Sequence, residues 1–193
     1  LSQMERFLNR NRAAVKAKEV SIDFSAYKRQ QLSEAGQAPQ LVLVSCSDSR
    51  VIPEVIFNCE MGDILVSRGV GNTVGQSQYA TIYYGVFDLG IRTIAVLGHS
   101  GCGAVSAALK GNQDPHLAIA VEAITRGIDP NLTQLPQTKE AVAQAAKENV
   151  LSQVKWLNKQ ENLAALVATG QLSIHGLYYD QETGLVEELF NRN

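Results

Sequence analysis

Three side chains able to hold one metal ion stand where apolar runs of this chain give way to polar residues. Cys46 closes the run in "VLVSCSDSRVIPE", Val42 to Glu54, and is followed at once by Ser47, Asp48, Ser49 and Arg50. His99 and Cys102 lie three residues apart in "VLGHSGCGAV", among glycines at 98, 101 and 103 that let the backbone turn sharply and approach other groups. An imidazole and a thiolate at that spacing can bind one ion. A thiol from a second strand end would complete a Cys₂His set, and three such ligands with a fourth position free form the pattern of a catalytic zinc rather than a closed structural one. Each piece is weak alone: a single cysteine after a strand is most often a packing residue, and an isolated H-x-x-C pair lacks a further ligand. The two clusters together, with a carboxylate and a guanidinium beside the first thiol, outweigh that reading. Cys59 reads as a buried, inert thiol, His116 as a surface loop or helix-start residue, and His175, inside an apolar strand, as a hydrogen-bonded core histidine.

The elements that must position these groups follow from short apolar runs. "LVLVS" (41–45), "DILVS" (63–67) and "TIAVLG" (93–98) are continuous rather than alternating, as strands buried on both faces of a parallel sheet are. Residues 76–89 and 104–110 between them have helical composition, with Gly90 and Gly111 as stops. Val142, Ala146, Val150, Val154 and Leu157 recur every three or four residues, one stripe on a long helix capped by Thr138. "LSIHGLYYD" and "LVEELF" predict two strands joined by a turn at "QETG". The expected fold is α/β, a central mostly parallel sheet flanked by helices, in one domain over 1–193. Ligands of such sheets gather beyond the carboxyl ends of the strands, where both motifs sit. Residues 1–35, with helical stretches such as "MERFLNRNRAAVKAK", are too polar to make a core alone. They are expected to form an arm packing on a partner subunit, with a solvated helix on the same subunit as the alternative.

Composition excludes several function classes. The chain has 193 residues, 45% apolar and 19% charged, and its 17 basic against 19 acidic residues leave no footprint for nucleic acid or an anionic membrane. No apolar run approaches the roughly 20 residues of a membrane-spanning helix. Three cysteines at these spacings favour thiols or metal ligands over disulfides. The location expected is cytoplasmic; the chain begins at Leu1, and a processed N-terminus would allow an exported, organellar or microcompartment location instead.

At "CSDSR" and "GHSGCG" the chain resembles the β-class carbonic anhydrases, and that pair of motifs is highly specific for the family. The likeness runs on through Arg68, Asn72, Tyr84 and "IHGLYYDQETG", covering most of the chain from Gln37 onward. The resemblance implies a dimer or an assembly of dimers with one Zn²⁺ per chain, which interconverts carbon dioxide and bicarbonate by a zinc-bound hydroxide. Cys46, His99 and Cys102 match the family's zinc ligands, and Asp48 and Arg50 its catalytic dyad. Gln37, Leu65, Val70 and Tyr84 match substrate-pocket residues drawn from the neighbouring subunit, while Asp48 and Gly103 match residues on the zinc-bearing one. The chemistry suits those types: zinc brings the pKa of water from about 15.7 toward 7, Asp48 accepts a hydrogen bond from the hydroxide and aims it, and Arg50 grips the carboxylate.

Subtype follows from three positions. Gln37 and Tyr84 match the plant-like, open-site members, and Leu43 stands where members inhibited by bicarbonate carry tryptophan. The chain departs from the family pattern at Gly69, Tyr83 and Leu65. Two other functions keep the same residues: hydrolysis of carbon disulfide or carbonyl sulfide, and a non-catalytic, zinc-stabilised scaffold or bicarbonate-sensing subunit.

Overall fold

A computed structural model describes residues 2–189. Leu1 and residues 190–193, and with them both ends of the expected domain and the last residue of "LVEELF", lie outside the described residues. Five strands, β1 (Leu41–Cys46), β2 (Ile64–Gly69), β3 (Thr93–His99), β4 (Ser173–Tyr179) and β5 (Val186–Leu189), form one sheet in the order β2-β1-β3-β4-β5. The first four run parallel and β5 returns antiparallel to β4 across the expected turn. Every residue of β1 and β3 is buried, the physical reason for their unbroken apolar runs.

Eight helices flank the sheet: α1 (Gln3–Ala17), α2 (Ala26–Ala35), α3 (Pro53–Ile56), α4 (Gln76–Tyr83), α5 (Gly103–Leu109), α6 (Ala118–Thr125), α7 (Lys139–Asn158) and α8 (Glu161–Ala168). Alternate residues of each strand serve opposite layers. Leu41, Leu43, Ala95 and Leu97 pack with Met4, Phe7 and Leu8 of α1, whereas Val42, Val44, Ile94 and Val96 pack with Ile82 of α4, Val150 and Leu157 of α7 and Leu163 of α8. Thr138 caps α7 as expected, its hydroxyl accepting from the Ala141 N–H at 3.2 Å. Gly98 is what lets α7 lie this close, because a Cβ there would stand 2.5 Å from Val150 Cγ2.

Three expectations are corrected. The helix expected over 76–89 is interrupted: α4 ends at Tyr83, and Tyr84–Asp88 continue as a wider π-helical turn closed by the Leu89 N–H on the Tyr84 carbonyl at 3.1 Å. That turn presses its backbone against β1, where a Cβ on Gly85 would stand 2.5 Å from Val42 Cγ2. The short helices α6 and α8 were not foreseen. The arm is also divided. α1 packs on this chain's own sheet, with Met4 and Phe7 each 1% exposed. Its Asn11 amide donates to Ile56 O (2.8 Å) and Gly184 O (2.9 Å) and accepts from the Val186 N–H. α2, by contrast, buries no residue. No helix among the described residues is long and apolar enough to cross a membrane.

Candidate metal centre and its dyad

The parallel register delivers the cluster. β1 and β3 are hydrogen-bonded neighbours, so Cys46, the last residue of β1, and His99, the last of β3, emerge at the same edge. The tight turn through Gly101, at φ 65°, then brings Cys102 back to them at the start of α5. The two Sγ atoms and a His99 ring nitrogen lie within 4.8 Å of one another, and all three residues are buried.

The donor atoms fit a metal. His99 Nδ1–H donates to the Ser100 carbonyl at 2.9 Å, which leaves Nε2 with a lone pair; that nitrogen is buried and has no hydrogen-bond partner. A buried unpaired nitrogen costs free energy on the order of 1–3 kcal/mol, which a metal bond relieves. The contact between the two thiols lowers the pKa of Cys46 and raises that of Cys102, the direction expected of two sulfurs held side by side. Cys59 lies elsewhere, in the α1 layer, where burial pushes its thiol up to about 12.

Asp48 stands at the rim, its Oδ2 3.9 Å from His99 Nε2. Arg50 grips it with two parallel bonds, Nε to Oδ1 at 2.9 Å and Nη2 to Oδ2 at 2.7 Å, and also reaches Gly101 O. That grip holds the Asp48 carboxyl far below the usual carboxylate range, so the group is ionised at any working pH. Lying two residues apart, the pair is further tied by the Arg50 N–H donating to Oδ1.

Residues 41–186 match the family model described as carbonic anhydrase. The chain belongs to the carbonic anhydrase family. It is 34% identical over 170 residues to a carbonic anhydrase of a Synechocystis strain, an alignment that covers 81% of this chain and 61% of that protein. It therefore spans about three fifths of that relative's length. Among solved structures, the Coccomyxa β-carbonic anhydrase in complex with acetazolamide superposes with a TM-score of 0.75 at 31% identity, covering 98% of this chain and 87% of that one. One of two tetrameric β-carbonic anhydrases from Sordaria macrospora gives 0.74 at 28% identity, covering 84% and 89%. These likenesses assign the β class.

The remaining residues read from sequence are spread out. Gly103 opens α5 beside Cys102 with free space where a side chain would be. Val70 is 46% exposed at the start of a 3-10 turn, Val70–Asn72, that follows Gly69, the partner of Cys46 in the sheet. Leu65 packs in the layer of Val42 and Ile91, not in the layer that holds the thiols. Among the described residues no hydrogen bond links Gln37 or Tyr84 to the cluster, and Tyr84 is 44% exposed. Of the departures, Gly69 leaves room that Gln78 fills, with Nε2 3.1 Å from where a Cβ would be, and Tyr83 stacks on Phe87 at 4.5 Å. His116 is exposed, and His175 pairs with Glu188 at 2.5 Å.

Two residues have roles that spacing did not reveal. Arg68 spans the loop that carries the dyad, donating to the carbonyls of Cys46 (3.1 Å), Asp48 (2.7 Å) and Val51 (2.8 Å). Its position two residues from the end of an apolar run was the available signal. Gln181, in the β4–β5 turn, sets its amide 3.0 Å from His99 Nδ1 and its N–H on Ser100 Oγ. Nothing local marks a turn 82 residues away as a support for that ring. A cavity of about 750 Å³ lies beside Arg50, Ser100 and Gln181 but none of the three cluster residues lines it, so it flanks the centre.

Proposed function

We propose that this chain is a zinc-dependent carbonic anhydrase that interconverts carbon dioxide and bicarbonate, with one Zn²⁺ per chain held by Cys46, His99 and Cys102. The observation that carries this reading is His99 Nε2, buried, unpartnered and grouped with two thiols. Two thiols and an imidazole are a donor set that suits zinc and leaves a fourth position free. When bound, the ion supplies Lewis acidity that brings the pKa of water from about 15.7 toward 7.

The chain's own residues do the rest. Asp48, ionised and fixed by Arg50, can only accept hydrogen bonds; it takes one from the attacking oxygen and so turns a lone pair toward the substrate carbon. Because it does not protonate at working pH, it orients and does not take up the released proton. Arg68 keeps the Cys46–Val51 backbone from moving under the dyad.

The pocket is completed by a second copy, in a homodimer or an assembly of dimers. Gln37, Leu65, Val70 and Tyr84 face the neighbour's metal, whose own chain supplies Asp48 and Gly103. In support, Val70, Tyr83, Tyr84 and Phe87 are all more than 40% exposed, large apolar residues without cover in one chain. Phe24 and Tyr27 at α2 are exposed likewise and suit contact with the partner. The Sordaria enzymes described as tetrameric agree with such an assembly.

The test is stopped-flow hydration of carbon dioxide by the zinc-loaded, chelator-stripped and reloaded protein, with carbonyl sulfide as a second substrate. Activity should be present, lost and restored, and strongest on carbon dioxide. A folded, zinc-loaded protein without turnover would favour the scaffold, and a preference for carbonyl sulfide would favour the sulfur-substrate hydrolase.

A further inference from the structure

The buried face of α7 contains two polar residues that the apolar stripe does not explain, Asn149 at 0% and Gln153 at 5% exposure. Buried amides are destabilising unless their hydrogen bonds are made, and an apolar pair of similar size would pack in their place. Both amides are spent on one turn and on each other. Asn149 Nδ2 donates to Gly71 O at 2.9 Å, Gln153 Oε1 accepts from the Val74 N–H at 3.0 Å, and Gln153 Nε2 donates to Asn149 Oδ1 at 3.1 Å.

That turn needs outside support. Gly71 (φ 65°, ψ 26°) and Asn72 (φ 47°) are successive left-handed residues, a conformation that costs free energy at the non-glycine position. Beyond the backbone bonds of the 3-10 turn itself, the Thr73 hydroxyl donates to Val70 O. A side chain at 71 is excluded as well, since a Cβ would stand 2.7 Å from Ile124 Cδ1. The turn matters because it leaves β2 directly after Gly69, which pairs with Cys46 in the sheet and accepts from the Ser47 N–H at 3.0 Å, so a shift of residues 71–74 passes to the strand end beside the thiol.

We propose that Asn149 and Gln153 are positioning residues for the metal centre: from α7 they clamp residues 71–74 and so hold the end of β2, where Gly69 pairs with Cys46, and Val70 at the pocket edge. The inference rests on the zinc reading of the site. It assigns to two amides that hydrogen-bond no ligand the task of fixing the environment of one metal-binding sulfur, as outer-shell hydrogen bonds do in metal sites generally.

The test uses Asn149→Leu and Gln153→Met, which keep volume and remove the amides, with Leu157→Val on the same helix as a variant that only loosens the core. In the folded, metal-loaded proteins, both amide variants should release zinc to a chelator about tenfold faster than the unsubstituted protein, and their cobalt forms should show a shifted thiolate-to-cobalt charge-transfer band. Leu157→Val should change neither. Independently of metal, the Gly71 amide proton should exchange about tenfold faster in the two variants of the metal-free protein, as expected when a clamp on a local opening is lost. Variants of lowered Tm with unchanged zinc release, cobalt spectrum and Gly71 exchange would overturn the proposal, as would failure of both to fold, which would reduce the pair to a folding role. An unsubstituted protein that holds no zinc would instead overturn the zinc reading, and Gly71 exchange would still decide whether α7 clamps the turn.

Discussion

The metal-binding half of the site and its pocket wall are built in opposite ways. Cys46, His99 and Cys102 converge within one chain because parallel neighbouring strands end at one edge, and all three are buried there. Gln37 follows α2, Leu65 lies on the edge strand β2 and Tyr84 opens the π turn, and among the described residues no side-chain hydrogen bond joins them to the cluster. Topology alone completes the first half. The second is completed by another copy in the function proposed above, and an arrangement of that kind ties chemistry to assembly.

The largest expected effect tests the first half. Cys102→Ser replaces a buried thiol by a hydroxyl that is a poor zinc ligand, so most of the metal and nearly all hydration activity should be lost. Near-stoichiometric zinc in that variant by elemental analysis would break the assignment. The second half is tested by assembly. A charge placed in the exposed Tyr83–Phe87 face, as Tyr83→Arg, should give monomers by sedimentation that keep their zinc and lose activity by about 10²-fold, the scale of a misplaced substrate. A monomer with full turnover would show that one chain builds the whole pocket.

A smaller effect is expected where the halves meet. Arg50→Ala should leave zinc in place and lower hydration by about 10–100-fold, because Asp48 loses the bonds that aim it and is free to move the 3.9 Å toward His99. In the metal-free protein the Asp48 pKa is lowered first by its hydrogen bond from the Arg50 side chain, so there the substitution should raise it, read by NMR titration of the carboxyl carbon. The sign carries over to stability. A depressed folded-state pKa contributes stability that is present above the ordinary carboxylate value of about 3.9 and is lost as pH falls toward the folded value, so Arg50→Ala should lessen the acid sensitivity of stability. Near-normal turnover with metal bound would reduce the pair to an ion pair with no part in the reaction.

Much of this was readable from residue order, for physical reasons. β1 and β3 are buried on both faces, so their runs are uninterrupted, and the ligands end those runs. The buried stripe of α1 is hard to read because its average composition is polar, yet Met4, Phe7, Leu8, Asn11 and Ala14 fall at spacings of three and four and suffice for one buried stripe. Asn149 and Gln153 escaped notice because a polar residue inside an apolar stripe carries no mark of what it bonds. Gln181 and Arg68 act on groups distant in sequence, and periodicity has no access to that.

The central claim, that two thiols and one imidazole of a single chain hold the metal, is tested most directly by X-ray absorption at the zinc edge of the loaded protein. The account predicts one zinc per chain with two sulfur neighbours at about 2.3 Å and lighter nitrogen or oxygen neighbours at about 2.0–2.1 Å. The same spectrum is predicted for Cys59→Ala, since Cys59 lies in another layer. A shell without sulfur, a four-sulfur shell, or one that changes when Cys59 is removed would contradict it.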